Sequence, residues 1–229
     1  MDAVTSSSWK RAVTFTGSLG FLCASAAWSA SDGAPGIFSP SSKPYGRTYA
    51  DWSGDWLQWI LSMPAGQSPL LDPDGRYCQL GESAPVFLLG SNARGAAVRC
   101  CTVPNGRSIL LTPGSVFCLL RLNAGNEEGL RACVEGALPL ITNVAVDIDG
   151  LHLRDLHEHR VVSDLVGFTL PGDNLFGLRG GRYRGIVGGY FLIHAPMAAG
   201  QHVVHLHDEV PDFDFVSDVT YMISVGAHH

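Results

Sequence analysis

From Val86 onward the chain is a train of short apolar runs, each bounded by Gly, Pro, Asn or Asp. Runs of that length and punctuation read as strands, which must pair into sheets and bury at least one face. The candidate strands are 86–89, 97–102, 108–112, 116–122, 143–147, 151–156, 160–168, 183–194, 201–208 and 213–225. Segment 195–200 reads as a hairpin connection between the two long strands around it. Helices enter only as excursions, never in strict alternation with strands. The pattern therefore predicts a mainly β fold, a two-layer antiparallel β-sandwich with one or two short helices.

The first helix is predicted over 49–63. Thr48 followed three residues later by Asp51 forms a capping box, and Pro64 stops the run. Its wheel places Tyr49, Trp52, Trp56, Trp59, Ile60 and Met63 on one face. Trp52, Trp56 and Trp59 are expected to be mainly structural, since an indole stripe brings a large apolar area to one face. The alternative is an aromatic face presented to a glycan or a membrane. A second short helix is expected over 126–137, with Leu130, Cys133 and Val134 on one side.

Upstream, Lys10 and Arg11 precede an apolar run over 12–22, and the small residues Cys23, Ala24, Ser25, Ala26 and Ala27 follow. This reads as a signal peptide over 1–27, cleaved after Ala26 or Ala27. Thr14, Thr16, Gly17 and Ser18 interrupt the run, which is short for a membrane anchor. Gly20, Phe21 and Leu22 make a poor lipoprotein motif ahead of Cys23. A flexible lead-in segment is expected over 28–47 and a single β-rich domain over 48–227. The protein is thus expected to be exported, periplasmic or extracellular, with no membrane span after leader cleavage.

Subtracting Lys10, Arg11 and Asp2 from the 15 basic and 21 acidic residues leaves 13 and 20, a formal charge of −7. Lys43 is then the one remaining lysine while Arg is common, no basic stripe that could track phosphates is expected, and nucleic acid is not an expected partner. Five cysteines remain, Cys78, Cys100, Cys101, Cys118 and Cys133. Export makes disulfides the natural state, and an odd count leaves at least one thiol over or paired between chains. Adjacent Cys100 and Cys101 point to opposite strand faces, so one of them is the expected outlier. The preferred pairing is Cys78 with Cys101 and Cys118 with Cys133, although sequence leaves other connectivities open.

The segments YGRTYADWSGDWLQWILSMP, SPLLDPDGRYCQLGESAPVFLLG, RCCTVPNGRSILLTP, LPGDNLFG and AAGQHVVHLHDEVPDFDFVSDVTYMISV resemble, in this order, an uncharacterised family of bacterial exported proteins. That family has a Trp-rich N-terminal helix, cysteines at positions like Cys78, Cys101 and Cys118, and a terminal pattern like Gly200-x-His202-x-x-His205. Cys100, Cys133 and His207 depart from it. The resemblance implies export and a common fold, and carries no activity.

No Gly-x-Ser-x-Gly elbow, His-Glu-x-x-His helix, Gly-Lys-Ser/Thr phosphate loop or Gly-x-Gly-x-x-Gly turn occurs. Asp72-Pro-Asp74-Gly75 and Asp147-Ile-Asp149-Gly150 read as turns, because neither carries a full set of calcium acceptors. All nine histidines lie after residue 150, and His157/His159 and His205/His207 form two His-x-His pairs. On a strand such pairs share a face, and one or two further donors would complete a zinc or copper site. Period two puts Val203, His205 and His207 on one face and His202, Val204 and Leu206 on the other. If a metal is bound, His205 and His207 are its expected core ligands, with His157 or His159 favoured over His194, on the preceding strand, as the third; Asp208 and Glu158 lie nearby in sequence, and His152 and His202 add further possible ligands. Two functions follow. One is a non-catalytic envelope or extracellular binding module that takes a glycan or an envelope protein. The alternative is a metal-dependent secreted enzyme built on the C-terminal histidines, and the balance leans away from an enzyme because no general base or nucleophile can be named.

Overall fold

A computed structural model describes residues 36–81 and 84–226, all within one compact unit, Ser31–His229. The expected leader at 1–27, segment 28–35 and the terminal histidines His228 and His229 lie outside the described residues. From Gly36 the expected lead-in is already tied down: Phe38 N–H donates to Ile193 O at 2.9 Å and Ala195 N–H to Gly36 O at 2.7 Å.

Helix α1, Tyr49–Leu61, begins at the Thr48/Asp51 capping box. Among the described residues ten strands follow with one further α-helix: β1 Val86–Leu88, β2 Gly95–Pro104, β3 Ser108–Leu119, α2 Glu127–Ala137, β4 Thr142–Ile148, β5 Leu151–His152, β6 Arg160–Val162, β7 Val166–Leu170, β8 Gly181–His194, β9 Gly200–Val210 and β10 Phe215–Gly226. They form two five-stranded sheets. The first runs β1-β3-β8-β6, with β7 also paired to β8, and the second runs β2-β10-β9-β4-β5. The fold is mainly β, two sheets packed face to face with two helices.

Most pairings are antiparallel, but β1 with β3 and β10 with β2 are parallel. The cause is the route of the chain. Between β1 and β3 it crosses to the second sheet as β2, and it returns to the first sheet running in its original direction. Segment 195–200 is likewise not a hairpin: β8 belongs to the first sheet and β9 to the second, so His194 is not on a neighbouring strand of His205. The runs 108–112 and 116–122 are one strand whose register shifts between Leu111 and Gly114, so Pro113-Gly114 makes a bulge where a turn was expected. The run 151–156 is a strand only at Leu151–His152. Residues 156–159 form a 3-10 turn after Asp155, whose φ is 56°.

Between the sheets, Phe87, Ile109, Leu111 and Leu192 meet Leu206, Val219 and Ile223. The other face of the first sheet is covered by α1, where Trp52, Trp56 and Leu57 pack on Leu110, Val187 and Phe191. Burying each of the two indoles is worth roughly 2–3 kcal/mol. Each indole N–H also holds a loop: Trp52 donates to Pro44 O at 3.2 Å, Trp56 to Leu89 O at 2.9 Å and Trp59 to Leu80 O at 2.6 Å. Trp59 is only half-buried, so the stripe belongs to the core at two positions and to its margin at the third. Helix α2 plugs the sandwich with Leu130 and Val134. It lies so close to β8 that a Cβ on Gly188 would stand 2.4 Å from Val134 Cγ1. Cys118 is bonded to Cys133, and Cys78 to Cys101. Cys100 is free and exposed, on the opposite face of β2 from its neighbour.

Candidate functional site

The inward face of β9 carries Val204 and Leu206, and period two assigns the next inward place to Asp208. The carboxyl is buried, with the residue 3% exposed, and its Oδ1 has no hydrogen-bond partner. Ser217 stands directly across on β10. Burial of the carboxyl raises its pKa from 3.8 to about 7, against the opposing pull of the Ser217 hydroxyl and the nearby His207.

Asp208 faces a cavity of about 240 Å³ whose wall is otherwise largely apolar, with Ile141, Leu140, Val210 and Phe215 beside the Ser115 hydroxyl. Three segments frame it: the 3-10 turn Pro211–Phe213 between β9 and β10, the residues after α2, and the loop at Ser91 and Asn92. The glycine at the β3 bulge lets Ile141 and Asp208 come close to the strand. A side chain on Gly114 would meet Ile141 Cγ2 at 2.8 Å and Asp208 Cβ at 3.1 Å.

The Ser91–Asn92 wall is set by Arg99, 1% exposed on the inward face of β2. Its guanidinium donates to Asp72 O (2.7 Å), Gly90 O and Ser91 O (both 3.2 Å), Tyr221 Oη (2.8 Å) and Asn92 Oδ1 (3.1 Å). Asn92 in turn donates to Arg94 O and Gly95 O. Arg99 thus exchanges its hydration for neutral acceptors and pins the loop that walls the cavity. Asp72 accepts from the backbone of Asp74, Gly75 and Tyr77, the turn role expected for that stretch.

The histidines picked out by spacing lie elsewhere, on the outer face of the second sheet. His205 and His207 share that face with ring centroids 6.4 Å apart. His207 donates from Nδ1 to Asp218 Oδ2 at 3.0 Å and from Nε2 to Glu209 Oε1 at 3.1 Å. His205 stands with Nε2 3.2 Å from Asp218 Oδ1 and Nδ1 3.6 Å from Asp147 Oδ2. His152 Nδ1 continues the row, 3.2 Å from Asp147 Oδ1. Burial disfavours a charged His207, but the bonds to Asp218 and Glu209 outweigh it and its pKa is raised. Both ring nitrogens of His207 are thus engaged by carboxylates.

His157 and His159 are not brought to that row. The 3-10 turn puts His157 beside Tyr190 and half-buries His159 against Tyr49. His159 lies where desolvation lowers its pKa. Among the described residues no group of three or more His, Cys, Asp or Glu side chains is placed to hold a metal ion. His202 points inward as its period requires, and donates to Asp149 Oδ2 at 2.7 Å and Ala198 O at 2.9 Å. It clips the start of β9 to the β4–β5 turn, where Asp149 and Gly150 both have positive φ.

No family model and no curated protein matches the chain. A solved structure described as "Structure of PbICP-C in complex with falcipain-2" is similar over 63% of this chain and 100% of that chain, at 11% identity and a TM-score of 0.22. A likeness of that size carries no argument about function. Among the described residues no helix is long and apolar enough to cross a membrane.

Proposed function

We propose that this chain is an exported, non-catalytic binding module whose ligand site is the Asp208 cavity at the end of the sandwich. The observation that carries the reading is the orphaned Oδ1 of a buried carboxyl in a largely apolar cavity. An isolated buried carboxyl is costly, and a ligand that hydrogen-bonds to it recovers that cost on binding. The volume, about 240 Å³, exceeds the ~150 Å³ known to hold a benzene ring. It suits a ring or branched aliphatic group with a short polar head.

A cationic head is the best match, because it stabilises the ionised carboxyl where solvent does not. The ligand chemistry is therefore a compact apolar amine, free or carried by an envelope protein. Phe213, 69% exposed at the cavity rim, offers such a partner an apolar landing place. Trp52 and Trp56 are each 2% exposed, so those two rings present no stacking face to a glycan. Two disulfides fit the oxidising compartment that the resemblance to exported proteins implies.

The test is titration of the purified protein with benzylamine and with benzyl alcohol, followed by backbone amide shifts at Ile141, Asp208 and Phe215. Benzylamine is expected to bind more tightly at about pH 8 than at about pH 5.5, and Asp208→Asn to abolish that difference. Shifts that stay still with both probes overturn the site. Equal affinity for the two probes at both pH values overturns the role of the carboxyl.

A further inference from the structure

The chain carries a formal charge of −6, yet one groove is lined by four arginines and no acidic residue. Arg121, Arg179, Arg182 and Arg184 line an open space of about 990 Å³, with Thr169 and Gln58 as further hydrogen-bonding groups. Their placement follows from local structure. Arg182 and Arg184 are two residues apart at the start of β8, so they share a strand face about 7 Å apart. Strand β7 lies alongside, with Thr169 paired to Arg182 and Gly167 to Arg184. On the other side, Leu120 N–H donates to Arg184 O at 2.9 Å, which brings Arg121 to the same end of the sheet. Tyr183 faces away from the two arginines, stacks on Phe168 and donates to Arg179 O at 2.8 Å, holding that backbone in place.

Most other arginines are held locally, Arg154 being an exception. Arg47, Arg76, Arg94 and Arg131 each stand against an aspartate, and Arg160 lies over the Tyr190 ring and donates to Leu138 O. The four groove arginines have no carboxylate partner among the described residues. Each is exposed, so the fold does not need them there. Converging like charges raise the energy of the free protein, and a bound anion removes that repulsion. Guanidinium forks match the planar pairs of oxygens on phosphate and sulfate, and binding can be bidentate. The four come from three segments, the residues after β3, those before β8 and the start of β8, so the cluster offers more than one guanidinium fork.

We propose that this groove binds an oligoanion, a single molecule presenting two or more phosphate or sulfate groups. It is separate from the Asp208 cavity and shares no lining residue with it. The experiment is calorimetric titration of the purified protein with tripolyphosphate, with a sulfated hexasaccharide, and with inorganic phosphate as a single-group control. At least one oligoanion should bind about ten-fold or more tightly than inorganic phosphate, and whichever of the two does so identifies the source. The Arg182→Ala/Arg184→Ala variant should lose about ten-fold or more of that affinity, and Arg121→Ala, on the neighbouring strand end, a smaller but measurable part. Circular dichroism should show both variants folded. Arg76→Ala, which removes one charge elsewhere as Arg121→Ala does in the groove, should leave binding unchanged. The proposal is overturned if neither oligoanion binds, if inorganic phosphate binds equally well, if the double variant keeps full affinity, or if Arg76→Ala costs as much.

Discussion

Replacing Asp208 by Asn should convert a pH-dependent loss of stability into a constant. The carboxyl ionises near 3.8 when solvated and near 7 in the folded chain, chiefly because burial penalises the anion. Between those values the folded protein holds a proton that the unfolded chain has released. The sign follows directly: for an acid whose folded pKa is raised, stability is highest below the unfolded pKa and falls as pH climbs to the folded one. The slope is about 1.4 kcal/mol per pH unit, so the whole interval amounts to on the order of 4 kcal/mol. Asn has nearly the same shape and never ionises. The assay is urea denaturation of both proteins, with disulfides intact, at intervals from about pH 4 to about pH 8. Other groups titrate alike in the two proteins and cancel in the difference. The two should be close in stability at the acid end, with Asp208→Asn ahead by several kcal/mol at the alkaline end. A difference that stays flat across the range would show that the carboxyl is solvated and would remove the basis for the cavity's ligand chemistry.

Three further outcomes follow from the same geometry. Trp56→Ala should cost about 3–5 kcal/mol, since it empties a core position and leaves Leu89 O without its donor. Trp59→Ala, at a half-buried site, should cost clearly less, and equal losses in chemical denaturation would contradict the layered packing. The His202–Asp149 bond, helped by the Ala198 carbonyl and opposed by burial, raises the His202 pKa. Its stabilising effect should be fully present below about pH 6.5 and disappear as pH rises through the raised value. His202→Gln should flatten that part of the stability profile, and an unaltered profile would count against the clip. Removing the Cys118–Cys133 bond, which closes a separation of 15 residues, by double substitution with Ala should cost about 3 kcal/mol. Cys100→Ser should cost almost nothing, and a comparable loss there in thermal unfolding would mean that the free thiol has been misplaced.

Much of the fold can be read from local signals, because they depend on few residues close in sequence. The Thr48/Asp51 box starts α1, Asn126 caps α2, and alternation in 201–208 sorts His205 and His207 from Val204 and Leu206. That same alternation already marks Asp208 as inward. What it does not convey is that the place of Asp208 meets a bulge at Gly114 and the edge of the core, where one carboxyl oxygen is desolvated without a hydrogen-bond partner. Arg99 had no local signal at all, since its acceptors come from the loops at 72 and 90–92 and from Tyr221 on another strand. The two His-x-His pairs lie apart for a related reason. Identity and spacing of His157, His159, His205 and His207 are properties of sequence, but convergence depends on which sheet each segment joins. Strand direction is equally non-local: 195–200 has the length of a hairpin, yet its two strands find better burial in different sheets. Periodicity thus determines which residues face inward. Only the packing of the two sheets decides what they face, and with it which charges are left without partners.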